Sequence, residues 1–472
     1  MAGLIASLDQ STIFGRQRLK AGREKGDAFH HVIRENDGFS QPELTAEGVV
    51  LGGDALSCVA PPLIGEELPI FGSAADVEAF EKQASFSERV AAAGQELTVM
   101  RAFFERVAAA HGEYRPETCD FTFGNPHEMP LPGLVAALKT NAEPLREDWF
   151  AYQTSQPEAC EVIAAGLSRE LGLAFEPADI VMSQGAFGAI ALAFRLVMDA
   201  GAEVVIPVPG WFCYPPMLRV ANLVPVRAAL DPARFDLDLA AIEAAISPRT
   251  RMVVVNSPHN PTGRIYPREA LEALADLLET ASRRIGARIW LLSDEPYRRI
   301  RFDGNGFTSP AAVYPWTLID YSYGKVLLAP GQRLGYLALS PLLPAAERAA
   351  LREAVFPAQM GINWGFPDAV MQYSVPALES VSIDIDALAA RRDRLLGALG
   401  GWGYRMTRPE GTFYLWGAAP GGDSAAFADR MAERDVLVMP GTLFDRPGDF
   451  RLSLTASDAM IERALPAFRD AA

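Results

Sequence analysis

One lysine in this chain stands where a lysine can do covalent chemistry. Lys325 closes Ser322-Tyr-Gly-Lys325, a short loop after the apolar run 317–322. An amine held at the end of a buried strand sheds its proton more easily and can form a Schiff base with a carbonyl. Other polar groups recur at the same point of the pattern, directly after apolar runs. Ser293-Asp-Glu-Pro-Tyr297 follows the run 288–293. A carboxylate such as Asp294 at a buried strand end is costly unless a cation meets it. Asn256-Ser-Pro-His-Asn-Pro-Thr-Gly263 follows 251–256, and its turn composition would hold Asn260 as a rigid neutral donor. Pro209-Gly-Trp-Phe-Cys-Tyr214 follows 203–208, so Trp211 could stack on a flat ligand. Ser183-Gln-Gly-Ala-Phe-Gly-Ala189 follows 179–183 and opens a helix, whose free N–H groups suit a phosphate. Taken singly, each has a plainer reading: a helix cap for Asp294, core packing for Trp211, an exposed amine for Lys325.

The elements that must position these groups follow from the same runs. Helical segments such as 186–200 and 267–285 lie between the apolar strands. Strand–helix alternation predicts a parallel or mostly parallel α/β sheet, with its polar function in loops beyond the C-terminal strand ends. Continuous β-branched runs such as Met252-Val-Val-Val-Asn256 suit a sheet buried on both faces. Helices are expected at 344–356, 366–380 and 383–400, followed by short strands and helices that read as a smaller α+β domain. The boundaries expected are an N-terminal extension 1–115, a small-domain piece 116–160, a large domain 161–345 and a C-terminal small domain 346–472.

Composition narrows the possibilities. Of 472 residues, 49% are hydrophobic and 22% charged, enough apolar surface for packed cores. With 43 Lys+Arg against 59 Asp+Glu the formal charge is −16, the wrong sign for a general nucleic-acid binder. No apolar stretch reaches membrane-spanning length; the longest, Met182 to Phe194, stops at Arg195. The N-terminus lacks the basic and apolar regions of a secretory signal. Cys58, Cys119, Cys160 and Cys213 show neither metal nor disulfide spacing. The expectation is a soluble, cytoplasmic protein with no metal site, no nucleic acid and no membrane partner.

In their order along the chain, these segments resemble the fold-type-I pyridoxal-phosphate enzymes of the class I/II aminotransferase superfamily, over roughly residues 118–472. The resemblance implies the cofactor pyridoxal 5'-phosphate and a role for each residue. Lys325 would hold the cofactor as a Schiff base and then carry the Cα proton. Asp294 would partner the pyridinium nitrogen, Asn260 and Tyr297 the ring 3-oxygen, and Trp211 would stack on the ring. The Gly185, Ala186 and Phe187 backbone, with Ser322 and Arg333, would hold the phosphate. Tyr214 would support the aromatic loop, and His259 reads as structural. Phe450-Arg-Leu-Ser453 resembles the family's C-terminal signature, so Arg451 would clamp a substrate α-carboxylate. Phe123-Gly-Asn-Pro126 resembles the segment whose backbone meets that carboxylate, at Gly124. Tyr152 resembles a tyrosine that reaches the neighbouring subunit's phosphate.

The sequence departs from that pattern in three places. Gly324 stands where relatives commonly have Ser. Gln156-Pro157 replaces the Gly usual shortly after Tyr152. About 110 residues precede Gly124, including Phe-x-Glu-Arg-Val-Ala-Ala-Ala at Phe86 and again at Phe103, expected as amphipathic helices near 76–93 and 96–110. This extension either covers the active-site mouth or serves oligomerisation or stability. The implied reaction is transamination of an α-amino acid to its 2-oxo acid, by a homodimer. Elimination or replacement on an S-adenosylmethionine-type substrate, or oxidation, begins from the same carbanion and is the alternative. A DNA-binding regulator with an aminotransferase-like body is disfavoured, because residues 1–115 show no tri-helical pattern and their charges roughly cancel. A chain lacking residues 1–100 decides between the roles of the extension: a cover predicts altered substrate preference, and unchanged activity excludes it.

Overall fold

The computed structural model describes residues 86–111, 117–362 and 366–472, together with a short antiparallel pair, Leu44–Thr45 with Gly48–Val49. The chain divides into two compact units, Met1–Ser85 and Phe86–Ala472. Residues 76–85 of the expected first helix lie outside the described residues.

Seven strands form the main sheet of the second unit: β1 (Ile180–Ser183), β2 (Glu203–Val208), β3 (Val224–Ala229), β4 (Thr250–Asn256), β5 (Trp290–Asp294), β6 (Thr317–Ser322) and β7 (Gly335–Leu339). Their order is β1-β7-β6-β5-β4-β2-β3. From β6 to β3 neighbours run parallel, while β7 is antiparallel to both β6 and β1. Five of these strands sit where apolar runs predict them. β3 is an edge strand carrying Pro225 and Arg227, so only part of it is buried and its apolar signal is weak. β7 is a five-residue run opening on a glycine, too short to stand out.

Alternate residues of the sheet feed two separate cores. Ile180, Met182, Ile319, Tyr321, Tyr336 and Ala338 join one. Val181, Val254, Leu292, Leu318, Leu337 and Leu339 join the other. The flanking helices are amphipathic in the matching way. Arg268–Ile285 buries Leu271, Leu274, Ala275, Leu278 and Ala281, and Gly286 ends it with a φ of +69° that glycine adopts without strain. Helices Pro157–Leu171 and Ala369–Leu378 pack on the face opposite the one covered by Gly185–Val197.

The smaller part combines both ends of the unit. Strands β8 (Tyr414–Ala418), β9 (Met439–Pro440) and β10 (Asp449–Ser453) make an antiparallel sheet in the order β8-β10-β9. Cys119–Asp120 pairs in parallel with Val436–Leu437, tying the segment before Gly124 to the C-terminal part. Helices Glu88–Glu96 and Thr98–His111 belong to the same unit as the main sheet. Glu96 bridges Arg219 at 3.2 Å and Arg227 at 2.8 Å. Phe103, Phe104 and Val107 are buried. No helix among the described residues is long and apolar enough to cross a membrane.

Two close backbone approaches fix the floor of the sheet's functional edge. A Cβ on Gly335 would lie 2.3 Å from the carbonyl oxygen of Tyr321 and 2.7 Å from Cα of Gly185. Gly335→Ala therefore forces β6 and the turn at Gly185 apart, at a cost of about 1–3 kcal/mol. Gly331→Ala meets nothing within 4 Å. Thermal denaturation should show a lowered midpoint for Gly335→Ala and an unchanged one for Gly331→Ala; equal midpoints would contradict this packing.

Candidate active site

Three neighbouring parallel strands, β4, β5 and β6, end at Asn256, Asp294 and Ser322. Parallel pairing brings their C-terminal ends to one edge, and the polar groups collect there. Asp294 is 3% exposed. Its Oδ2 accepts a short hydrogen bond from the Tyr214 hydroxyl and a 3.2 Å bond from Asn256 Nδ2. Oδ1 is buried, and no fixed N–H or hydroxyl donor meets it. Burial raises the carboxyl above the ordinary carboxylate range, against the hydrogen bond from Tyr214 and the Lys325 ammonium, which pull it down. Asn256 also accepts from the Asn260 backbone N–H at 2.7 Å, so one amide links Asp294 to the Asn260 turn. In that turn His259 pairs with the Thr262 hydroxyl at 2.7 Å.

Lys325 lies in a one-turn helix, Tyr323–Val326, capped by the Ser322 hydroxyl accepting from Gly324 N–H at 3.3 Å. Its Nζ stands 5.6 Å from the centre of the Tyr297 ring and 6.0 Å from that of Phe413. Tyr297 and Tyr414 approach hydroxyl to hydroxyl at 3.5 Å. Beyond them, Arg451 is 1% exposed on β10. Its Nη1 donates to Asn260 Oδ1 at 2.8 Å and its Nη2 to the Thr122 carbonyl at 2.6 Å. The guanidinium carbon lies 3.8 Å from the Tyr414 ring centre. Burial alone would push the Tyr414 phenol up, but Arg451 and Lys325 outweigh it and bring the phenol below its ordinary value. Gly124 leaves space for this array: a Cβ there would sit 2.4 Å from Phe413 Cε2.

The other end of the site is a cradle. Gly185 opens the helix Gly185–Val197 at φ +72°, and a Cβ on it would lie 2.8 Å from Arg333 Nη2. Arg333 donates to the carbonyls of Pro330 at 2.5 Å and Gln184 at 3.3 Å. Ala186 is half-buried, and Phe187 meets Trp211 edge-on at 4.8 Å. Trp211 in turn stands edge-on to Tyr214 at 5.1 Å. At Gly324 a Cβ would come 3.1 Å from Pro330 Cα, a tight approach. Tyr152 is not part of the cradle; it is 93% exposed and lies against Phe366, with ring centres 5.9 Å apart.

These residues fit pyridoxal phosphate. The unsatisfied Asp294 Oδ1 suits a protonated ring nitrogen, the half-buried Trp211 a flat ring, and the glycine turn beside Arg333 a phosphate. Residues 117–468 match the family model for aminotransferase class I and II. The chain belongs to this family. The aspartate/prephenate aminotransferase of Thermus thermophilus is 34% identical over 325 residues, covering 68% of this chain and 82% of that protein. The aspartate aminotransferase of Geobacillus stearothermophilus is 30% identical, covering 66% of this chain and 80% of that protein. Among solved structures, an aminotransferase from Eubacterium rectale superposes with a TM-score of 0.75 at 29% identity, covering 82% of this chain and 98% of the other. A mutant of Thermus thermophilus aspartate aminotransferase gives a TM-score of 0.69 at 28% identity, covering 83% and 100%.

Like its relatives, the chain is a pyridoxal-phosphate-dependent aminotransferase, a transferase acting between an amino acid and a 2-oxo acid. Elimination, replacement and oxidation are not favoured. Several polar groups of the site go beyond the residues singled out in the sequence. Tyr214 does more than support its loop, since its hydroxyl reaches Asp294. Tyr414 is hidden in Gly411-Thr-Phe-Tyr414, which reads as an ordinary strand start. Asn256 opens the turn segment 256–263 without being marked there as a polar partner of Asp294, and the Thr122 carbonyl carries no motif.

His259 is fully buried, which pushes its imidazole down to about 3. Above its ordinary value of 6.5 it is neutral in folded and unfolded chains alike. As pH falls from 6.5 towards about 3, only the unfolded chain takes up this proton, so stability is lost at up to about 1.4 kcal/mol per pH unit. His259→Asn should flatten the acid limb of the unfolding midpoint against pH. An acid limb identical to wild type would show that His259 does not contribute.

Proposed function

We propose that this enzyme takes the amino group of aspartate, passes it to a 2-oxo acid such as prephenate, and does so with the residues assembled above. The substrates are those in the names of its relatives. The observation that carries the reading is the arrangement of Lys325 and Arg451 on either side of the Tyr297–Tyr414 pair. An amine and a guanidinium so placed can address the α-carbon and the α-carboxylate of one amino acid at once.

Bound in this site, pyridoxal phosphate supplies the electron-withdrawing ring that makes the substrate's Cα–H acidic. Lys325 would hold the cofactor and, as a free amine, would move the proton at the substrate's Cα. Asp294, its orientation fixed by Tyr214 and Asn256, would keep the proton on the ring nitrogen. Asn260 and Tyr297 would hydrogen-bond the cofactor's ring oxygen, and Trp211 would pack against the ring. The Gly185–Phe187 N–H groups, Ser322 and Arg333 would hold the phosphate. Arg451, already oriented by Asn260 Oδ1 and the Thr122 carbonyl, receives the α-carboxylate as a two-pronged donor beside the Gly124 backbone.

The same reading places the large domain at 161–345 and the small one at 116–160 with 346–472. It makes the enzyme a cytoplasmic homodimer in which Tyr152, 93% exposed, serves a second subunit.

The test is a visible-absorption titration of cofactor-loaded protein with aspartate and no acceptor. Conversion of the cofactor band to the aminated form by aspartate is the expected result; regeneration of the starting band with product release would defeat transamination. Lys325→Ala should abolish the conversion. Arg451→Lys should raise KM for aspartate on the order of 100-fold, with a smaller change in kcat, because a point charge replaces a fork.

A further inference from the structure

Asp320 is the most unexpected side chain in the sheet. It sits in the middle of Thr317-Leu-Ile-Asp-Tyr-Ser322, a strand buried along its whole length. Its register partners are Asp294 on β5 and Leu337 on β7, so its side chain emerges on the face shared by Leu318, Leu337 and Asp294. That face otherwise belongs to the apolar core under the helix Gly185–Val197. Asp320 is 0% exposed, and neither carboxyl oxygen meets a fixed N–H or hydroxyl donor. Its polar contact is the carboxyl group of Asp294.

Two buried carboxyl groups in contact cannot both be ionised; one must carry a proton and donate it. The surroundings decide which. Asp294 has the Tyr214 hydroxyl and Asn256 Nδ2 as donors and the Lys325 ammonium nearby, all favouring its anion. Asp320 has none of these, and Glu295, next along β5, adds a further negative charge. Glu295 itself is held by Ser293, Ser309 and Arg298. Burial, then the Asp294 charge, hold the Asp320 carboxyl well above the ordinary range.

We propose that Asp320 is a neutral carboxylic acid that donates its O–H to Asp294, acting as a positioning residue for the carboxylate that faces the cofactor. The proposal rests on the aminotransferase reading of Asp294. Its consequence is chemical. In a dry site the ion pair of carboxylate and protonated ring nitrogen competes with the neutral pair formed when the proton crosses to Asp294. Each donor to Asp294 disperses its charge and leaves the proton on the nitrogen, where it strengthens the electron sink. Asp320 is the third such donor, after Tyr214 and Asn256.

The first measurement needs no cofactor. Infrared difference spectra of the cofactor-free protein at neutral pH should contain the carbonyl band of a buried, protonated carboxylic acid. The band should vanish in Asp320→Asn and persist in Asp294→Asn. The second uses the loaded enzyme in the half-reaction with aspartate. Asp320→Leu should slow conversion about tenfold with little change in KM, and Asp320→Asn, which keeps a donor in the same volume, should restore it to within about threefold. A missing band in wild type, a band lost in Asp294→Asn but kept in Asp320→Asn, or Asp320→Leu converting as fast as wild type would each overturn the proposal. Failure of the aminotransferase reading is a different result: wild type itself would show no half-reaction, while the infrared band would still report the proton on Asp320.

Discussion

The constraint on which the rest depends is the burial of ionisable groups at one edge of an apolar sheet. Asp294 is a carboxylate at the end of a fully enclosed strand that opens Trp-Leu-Leu. It survives there because hydrogen-bond donors converge on it from a helix start at Tyr214 and a neighbouring strand at Asn256. The geometry of those donors then propagates. Asn256 spends its other amide atom on the Asn260 turn, and Asn260 spends its own oxygen on Arg451. A chain of four side chains thus runs from the end of β5 across to β10. Few of these groups could be replaced singly without leaving another buried and unpaired.

The same logic explains why the two parts of the unit meet where they do. Arg451 belongs to the antiparallel sheet built from the C-terminal segment, yet both of its hydrogen-bonded guanidinium nitrogens find oxygen acceptors elsewhere, on Asn260 and on Thr122. Thr122 follows the strand Cys119–Asp120, which pairs with Val436–Leu437. Chain segments more than three hundred residues apart are therefore brought together at one cation. The stacking of Tyr414 on that cation and the contact of Tyr414 with Tyr297 complete a path to Lys325.

Much of this was legible in the sequence, for a reason that is physical. Groups at parallel strand ends must follow apolar runs, so Lys325, Asp294, Asn260 and Trp211 announce themselves as candidates by position as well as by type. The strand β3 escaped because an edge strand is half wet, and β7 because five residues beginning with glycine give little periodicity. Tyr414 and Tyr214 carried no signal of their function, because an aromatic beside apolar residues looks like core until its hydroxyl is located. Asp320 differs from both: a lone acid inside an apolar strand is visible in one dimension, but its meaning depends on parallel register with Asp294, which only the sheet supplies.

Charge makes the final point about scale. The chain carries a formal −16, yet the site gathers three cations, Lys325, Arg333 and Arg451, two of which are proposed above to meet a phosphate and a carboxylate. The overall field opposes such ligands, but salt screens exposed charges beyond roughly 8 Å under physiological conditions. Inside that distance the local cations dominate, and a dry site magnifies them further. Arg451 shows this most clearly. Enclosed among Tyr414, Phe444 and backbone, it has no carboxylate among its hydrogen-bond partners, only neutral oxygens and the Met439 sulfur. Its orientation is fixed while its charge is left unpaired by any carboxylate, so the carboxylate recognition proposed above is prepared by neutral neighbours and not by the protein's net charge.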